Sequence, residues 1–255
     1  MWLAIDIGNT NIHIGIFKED VLSSTYSVTT ESLSLHPEQL SKIPVANILH
    51  KATAVIISSV NPQTTALVVE YIQSRLLIKP QHIGKDIPLP IPILTENPER
   101  VGVDRLVNAL AAFERIKNWA IVVDAGTAIT IDAINDTGAF LGGVIAPGIN
   151  MASKSLHNFT ALLPEVSINK PAHVIGKSTV DAIKSGIYWG TAGMITHLIT
   201  LFCNELECQP TVIATGGNAE MLAKEIPRIS DVFPYLTLEG IQIAYKAHLA
   251  SNTQR

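Results

Sequence analysis

Two short segments carry the same arrangement of a carboxylate, a glycine and hydroxyl or amide side chains. One is Ala4-Ile5-Asp6-Ile7-Gly8-Asn9-Thr10-Asn11-Ile12-His13-Ile14; the other is Val122-Val123-Asp124-Ala125-Gly126-Thr127-Ala128-Ile129-Thr130-Ile131. In each, an apolar run reaches an Asp, a tight Gly-containing turn follows, and a second apolar run leaves. Such a turn brings backbone N–H groups and a hydroxyl close to an anion, because Gly has no Cβ to block the approach. The carboxylate beside it suits a hard cation shared with phosphate oxygens. Asp6 and Asp124 stand 118 positions apart, which suggests two related domains gripping one polyphosphate. Either turn alone also reads as an ordinary β-turn, where Asp, Gly, Asn and Thr are common. The recurrence favours the anion-binding reading. Gly216-Gly217-Asn218 follows a further apolar run and is either a plain strand-to-helix turn or exposed backbone on which an adenine ring lies flat.

The common nucleotide signatures are absent: the sequence has no GxxxxGK[ST] and no GxGxxG after a strand. A phosphate site is therefore expected on hairpins. The eight histidines form no HExxH or Cys/His cluster, so no transition-metal site is expected. Cys203 and Cys208 are the only cysteines and read as reduced, incidental thiols.

These residues must be positioned by regular elements, and the patterning supplies them. Ile12, Ile14 and Ile16 alternate with Asn11, His13 and Gly15, a period of two that predicts a strand leaving the first turn. Further strands are expected near 21–28, at 52–59, across the second hairpin, at 140–145 and at 211–215. A helix is expected over 64–77 from the stripe Leu67, Val68, Tyr71, Ile72 and Leu76. Gly102-Val103-Asp104-Arg105 opens another, running to about Lys117. Helices are also expected over 149–161, 179–203 and 239–250, with one starting near Ala219. Ser178 to Asp181 has the form of a capping box. The prolines between Pro88 and Pro98 require an extended segment.

With 255 residues, 47% hydrophobic and 16% charged, the chain has material for a large core, in one domain or in two of about 120 residues. The duplication places a boundary near 118, giving domains over 1–118 and 119–255. A net charge of −4 and dispersed Lys and Arg speak against nucleic acid or an anionic membrane as partner. Asp6 interrupts the apolar N-terminus too early for a signal peptide, and no run approaches a membrane span. A cytoplasmic location is expected.

The ordered set DIGNT, GVDR, DAGTAIT, GGVIAPG, GKST and TGG, from Asp6 to about Asn218, closely resembles type III pantothenate kinase, of the acetate kinase/sugar kinase/Hsp70/actin superfold. The resemblance implies an α/β fold of two duplicated ribonuclease H-like domains with a nucleotide cleft between them. It implies a homodimer and ATP-dependent phosphorylation of pantothenate to 4'-phosphopantothenate, the first step of coenzyme A synthesis. Mg²⁺ and a monovalent cation, K⁺ or NH₄⁺, are implied as well. Carried onto this sequence, it assigns ATP to Asp6, Ile7, Gly8, Asn9, Thr10, Asn11, Ile12, His13 and Thr127, with Mg²⁺ at Asp6 directly or through water. The monovalent cation goes to Asp124, which otherwise is a turn carboxylate without an ion. Pantothenate goes to Gly102, Val103, Asp104, Arg105 and Thr179. Asp104 would be the general base that takes the acceptor hydroxyl's proton; its other reading is a helix cap. Arg105 either forks onto a substrate carboxylate or makes a structural ion pair. Thr179 would offer its hydroxyl, with helix N–H groups, to the pantothenate carboxylate. One departure stands out: many relatives place a pocket-lining Tyr where this chain has Thr95. Apolar residues between 149 and 163, with Tyr188 and Trp189 beyond, suit either a dimer interface or core packing. Two other functions are compatible: a kinase of another hydroxylated metabolite, and a non-catalytic ATP-binding regulator.

Overall fold

The computed structural model describes residues 1–35, 52–75 and 78–253. The chain divides into two compact units: Met1–Pro92 with Glu96–Ala111 and Leu236–Arg255, and Ile93–Thr95 with Ala112–Tyr235.

The first unit is built on a five-stranded sheet of order β3-β2-β1-β4-β5, formed by β1 (Trp2–Ile7), β2 (Asn11–Lys18), β3 (Val21–Thr29), β4 (Val55–Ser59) and β5 (Gln81–His82). β1 pairs antiparallel with β2 and parallel with β4. Successive side chains of a strand point to opposite faces, and here both faces are covered. Leu3, Ile5 and Ile7 join Val68 and Ile72 of α2 (Pro62–Arg75) and Leu33 of α1 (Thr30–Leu35). Trp2 and Ala4 join Val107 and Leu110 of α3 (Val103–Ile116) and Leu238, Ile241 and Ala244 of α7 (Leu236–Thr253). Asp6 continues the second set along β1, so α3 packs on the face that carries it. Asn61 starts α2, its Oδ1 accepting from Thr64 N at 3.1 Å, and Pro62 follows at the first helical position, where no N–H is missed. The expected end of this helix at Leu76 and Leu77 falls outside the described residues.

The second unit repeats the plan. Its sheet has the order β10-β9-β6-β7-β8, from β6 (Ala120–Ala125), β7 (Ala128–Ile134), β8 (Phe140–Pro147), β9 (Thr211–Thr215) and β10 (Ile229–Val232). β6 pairs antiparallel with β7 and parallel with β9. Read from the hairpin side, both sheets thus run third, second, first, fourth, fifth, with the same strand directions. This is the expected mixed α/β fold with a duplicated domain. Ile121, Val123 and Ala125 pack against Ile149 of α4 (Ile149–Asn158), Ile183, Ile187, Ile195 and Ile199 of α5 (Thr179–Glu205), and Leu222 of α6 (Ala219–Ala223).

The compact units follow space where the expected boundary near 118 followed sequence order. The chain leaves the first unit at Ala111, within α3, and α7 returns to it. The segment Ile93–Thr95 joins the second unit because Leu94 N donates to Phe140 O at 2.8 Å. The expected helix over 149–161 stops at Asn158, with Phe159 as its C-cap. Three short elements, α1, β5 and β10, were not expected, since none is long enough to show a period.

Candidate active site

In the first unit the Asp6 turn and the start of α3 are the two candidate elements. Asp6 is the penultimate residue of β1, half-buried, opposite His13 on β2 and Ser58 on β4. The turn closes through Gly8 N donating to Asn11 O at 2.9 Å, and Thr30 N donates to Thr10 O at 2.8 Å. Asn9, Thr10 and His13 are exposed and Asn11 is half-buried. Ile7 and Ile12 are buried in the core under α2, so their side chains anchor the hairpin and only their backbone is available to a ligand.

Asp104 lies in the first turn of α3. Its Oδ1 accepts from Arg105 N at 2.8 Å. Burial pushes its carboxyl above the ordinary Asp value, against the opposing pull of the helix N–H groups and the Arg105 charge. Gly102 makes this orientation possible: a Cβ there would sit 2.6 Å from Asp104 Oδ1. The same Cβ would lie 3.8 Å from Val60 Cγ1, so the start of α3 adjoins the exit of β4. Val103 packs into the core beneath, and Arg105 is half-buried. The base and cap readings of Asp104 are therefore not exclusive. The carboxylate rests on the helix N–H groups and is held as a stronger proton acceptor than a solvated Asp.

Sequence reasoning passed over Ser58. It is fully buried, and its Oγ has no hydrogen-bond partner among the described residues. The next residue, Ser59, differs: its Oγ lies 2.6 Å from Thr65 Oγ1 and accepts from Asn61 N at 3.0 Å. An unsatisfied buried hydroxyl costs about 1–3 kcal/mol. The only signal for it is pairing with Asp6, which lies 52 positions away in the chain.

In the second unit, Asp124 is the penultimate residue of β6, half-buried, opposite Thr130 on β7 and Thr215 on β9. Gly126 N donates to Ala128 O at 3.1 Å, and Gly148 N donates to Thr127 O at 3.2 Å. Gly216 has φ +93°, and a Cβ on it would lie 2.5 Å from Asp124 Oδ1. Asn218 N donates to Ala125 O at 3.0 Å. The Gly216-Gly217-Asn218 segment is thus folded over the Asp124 turn, and Gly217 is exposed with open space where a Cβ would be. Thr127 is exposed on the same turn. Thr179 is exposed at the first residue of α5, behind the capping box in which Ser178 Oγ accepts from Asp181 N at 3.1 Å and donates to Asp181 Oδ2 at 2.7 Å. Thr95 belongs to this unit, with a buried Oγ1 unpartnered among the described residues.

The structure therefore gathers Asp6–His13 and Gly102–Arg105 in one unit, and Asp124, Thr127 and Thr179 in the other. Among the described residues no cluster of three or more His, Cys, Asp or Glu stands ready to hold a metal. Cations of the Mg²⁺ kind take one or two carboxylates, substrate phosphates and several waters. Asp6 fits such an ion, with the orphaned Ser58 hydroxyl beside it. Asp124 fits a cation in the space that the missing Cβ of Gly216 leaves next to its Oδ1.

A sequence model of the family described as type III pantothenate kinase matches residues 2–201. The type III pantothenate kinase of Moorella thermoacetica is 40% identical over 252 residues, covering 96% of this chain and 99% of that protein. A solved structure from Campylobacter jejuni, described as a conserved Baf family transcriptional activator, has a TM-score of 0.61 at 22% identity and covers 96% of this chain and 98% of its own. A 2-dehydro-3-deoxygalactonokinase structure from Sinorhizobium meliloti has a TM-score of 0.55 at 14% identity, covering 97% of this chain and 96% of its own. At these identities the two structures speak for the fold alone.

Proposed function

The chain belongs to the type III pantothenate kinase family, and on that footing we propose that it transfers the γ-phosphoryl group of ATP to the primary hydroxyl of pantothenate, giving 4'-phosphopantothenate for coenzyme A synthesis. The observation that carries the reading is Asp104: a half-buried carboxylate, held by Arg105 N and made possible by Gly102, with its proton affinity raised by burial. A base of this kind accepts the proton that the acceptor alcohol releases as it attacks phosphorus. Arg105 receives the pantothenate carboxylate, and Thr179 adds a hydroxyl at a helix start.

For ATP the first unit offers the turn of residues 6–13, and the second offers the Asp124–Thr127 turn with Gly217 as open backbone for the base. Mg²⁺ at Asp6 and K⁺ or NH₄⁺ at Asp124, when bound, neutralise charge that develops on the phosphates. The protein works as a homodimer in the cytoplasm, with neither nucleic acid nor membrane as a partner. Among the described residues no helix is long and apolar enough to cross a membrane. Support for the dimer comes from a run of exposed apolar side chains in the second unit, Phe159, Leu162, Val174 and Ile175. Exposed Gly186, Gly190 and Gly193 on α5 add open space into which another helix fits. The duplicated domains are divided near residue 118 as evolutionary halves.

A coupled assay of ADP release, with and without pantothenate, tests the reading. Pantothenate-dependent release with matching formation of phosphopantothenate supports it. ATP binding without turnover on pantothenate or any related alcohol would replace it with a regulatory role.

A further inference from the structure

Ser58 is, among the described residues, the fully buried polar side chain beside the Asp6 turn that the proposed mechanism leaves without a task. Register pairing of β1 with β4 puts it next to Asp6 on the same sheet face, with the strands about 4.8 Å apart. At that spacing one water bridges a hydroxyl and the oxygens around a carboxylate-bound ion. The second sheet repeats the juxtaposition, Thr215 standing next to Asp124 on the equivalent parallel strand. A hydroxyl on the parallel neighbour thus accompanies the Asp of both turns, at the end of Val55-Ile56-Ile57-Ser58 in one sheet and of Val212-Ile213-Ala214-Thr215 in the other.

We propose that Ser58 is a positioning residue for the divalent cation on Asp6: its Oγ accepts a hydrogen bond from a water in the cation's hydration shell and donates to the Asp6 carboxylate. A serine hydroxyl is both donor and acceptor, and Ser58 Oγ, unpartnered among the described residues, has capacity for both bonds. Ser59, whose hydroxyl is already engaged by Thr65 and Asn61, has no such role. The inference rests on the assignment of Asp6 to Mg²⁺.

The test compares Ser58→Ala, Ser59→Ala and wild type by calorimetric binding of a non-hydrolysable ATP analogue, in excess EDTA and across a Mg²⁺ titration, with thermal melts of the free proteins. Ser58→Ala is expected to melt at or above the wild-type temperature, since only an unpaired hydroxyl is lost. Its analogue affinity in EDTA should be unchanged, while the Mg²⁺ concentration needed for tight binding rises about 10-fold or more, the usual effect of removing a group behind a metal ligand. Ser59→Ala should show the reverse pattern: a lower melting temperature and the wild-type Mg²⁺ response. A Ser58→Ala variant with a Mg²⁺ response within twofold of wild type overturns the inference about Ser58 alone. A wild-type protein that binds the analogue but gains nothing from Mg²⁺ overturns the Asp6 assignment, and Ser58 with it.

Discussion

Gly102→Ala isolates the orientation of the Asp104 carboxylate from its chemistry. The backbone at Gly102 does not lie at positive φ, so Ala is tolerated there and contributes about 0.4–1 kcal/mol of stability through the unfolded chain. The new methyl, however, would sit 2.6 Å from Asp104 Oδ1, about 0.8 Å inside the 3.4 Å at which ordinary contact begins. The side chain has to swing away, giving up its 2.8 Å bond from Arg105 N. A displacement of 1 Å in a catalytic group costs on the order of 10²-fold in rate, so kcat is expected to fall roughly 10- to 10²-fold, or about 1.4–2.7 kcal/mol in barrier. The KM for ATP should hold, and the melting temperature should hold or rise slightly. Steady-state kinetics and calorimetry read both quantities. Added to Asp104→Asn, the same change should cost nothing further, because coupled groups are not additive. A kcat within threefold of wild type, or a loss matched by a clear drop in melting temperature, would show that Gly102 serves the fold and not the carboxylate.

Asp104→Asn keeps an acceptor for Arg105 N but cannot take a proton, and it should lose about 10²–10⁴-fold in kcat with ATP binding retained. Burial raises the Asp104 pKa, so the ionised carboxylate opposes folding at neutral pH, and the opposition fades as pH falls through that raised pKa and is gone below the ordinary Asp value. The Asn variant should therefore be at least as stable as wild type at neutral pH, with the difference shrinking as pH falls through the Asp104 pKa in a series of thermal melts. By the same sign, the acid limb of wild-type kcat should lie above the ordinary Asp value of about 3.9. Replacing K⁺ by Na⁺ at saturating Mg²⁺ should slow turnover, and Asp124→Ala should abolish the response; equal rates in K⁺, Na⁺ and a bulky organic cation would remove Asp124 from the cation site. Phe159, 88% exposed in the single chain, can take Glu without harm to the core, so sedimentation of Phe159→Glu should show monomer where wild type shows dimer. A fully active monomeric wild type would defeat the assembly proposal.

What the sequence displayed were the local features. The Asp6 and Asp124 turns, the start of α3 and the capping box at Ser178 each fit within a few residues, and the alternating isoleucines announce β2 directly. Asp104 could be read only as base or cap, because the burial that raises its proton affinity comes from elements packed around it. Ser58 was hidden for a different reason. Its neighbour Asp6 is remote in the chain and adjacent only through β1–β4 pairing, and the buried strand end shows nothing but apolar residues and two serines. The attachment of α7 to the first unit was equally hidden, since it depends on Leu238 and Ile241 meeting Trp2 and Ala4.

That attachment sets an order of events during synthesis. The bulk of the second unit is continuous in the chain, 112–235, whereas the first lacks one of its covering helices until Leu236–Thr253 has been made. Thr237 Oγ1 donates to Asn108 Oδ1 at 2.8 Å, so α7, made after the whole of 112–235, steadies the helix that carries Asp104. A nascent chain is therefore expected to hold its second half folded on the ribosome while the sheet bearing Asp6 still shows Trp2 and Phe17 to solvent, open to chaperones and proteases. Pulse proteolysis of a chain halted at 235 should cleave the first half and spare the second.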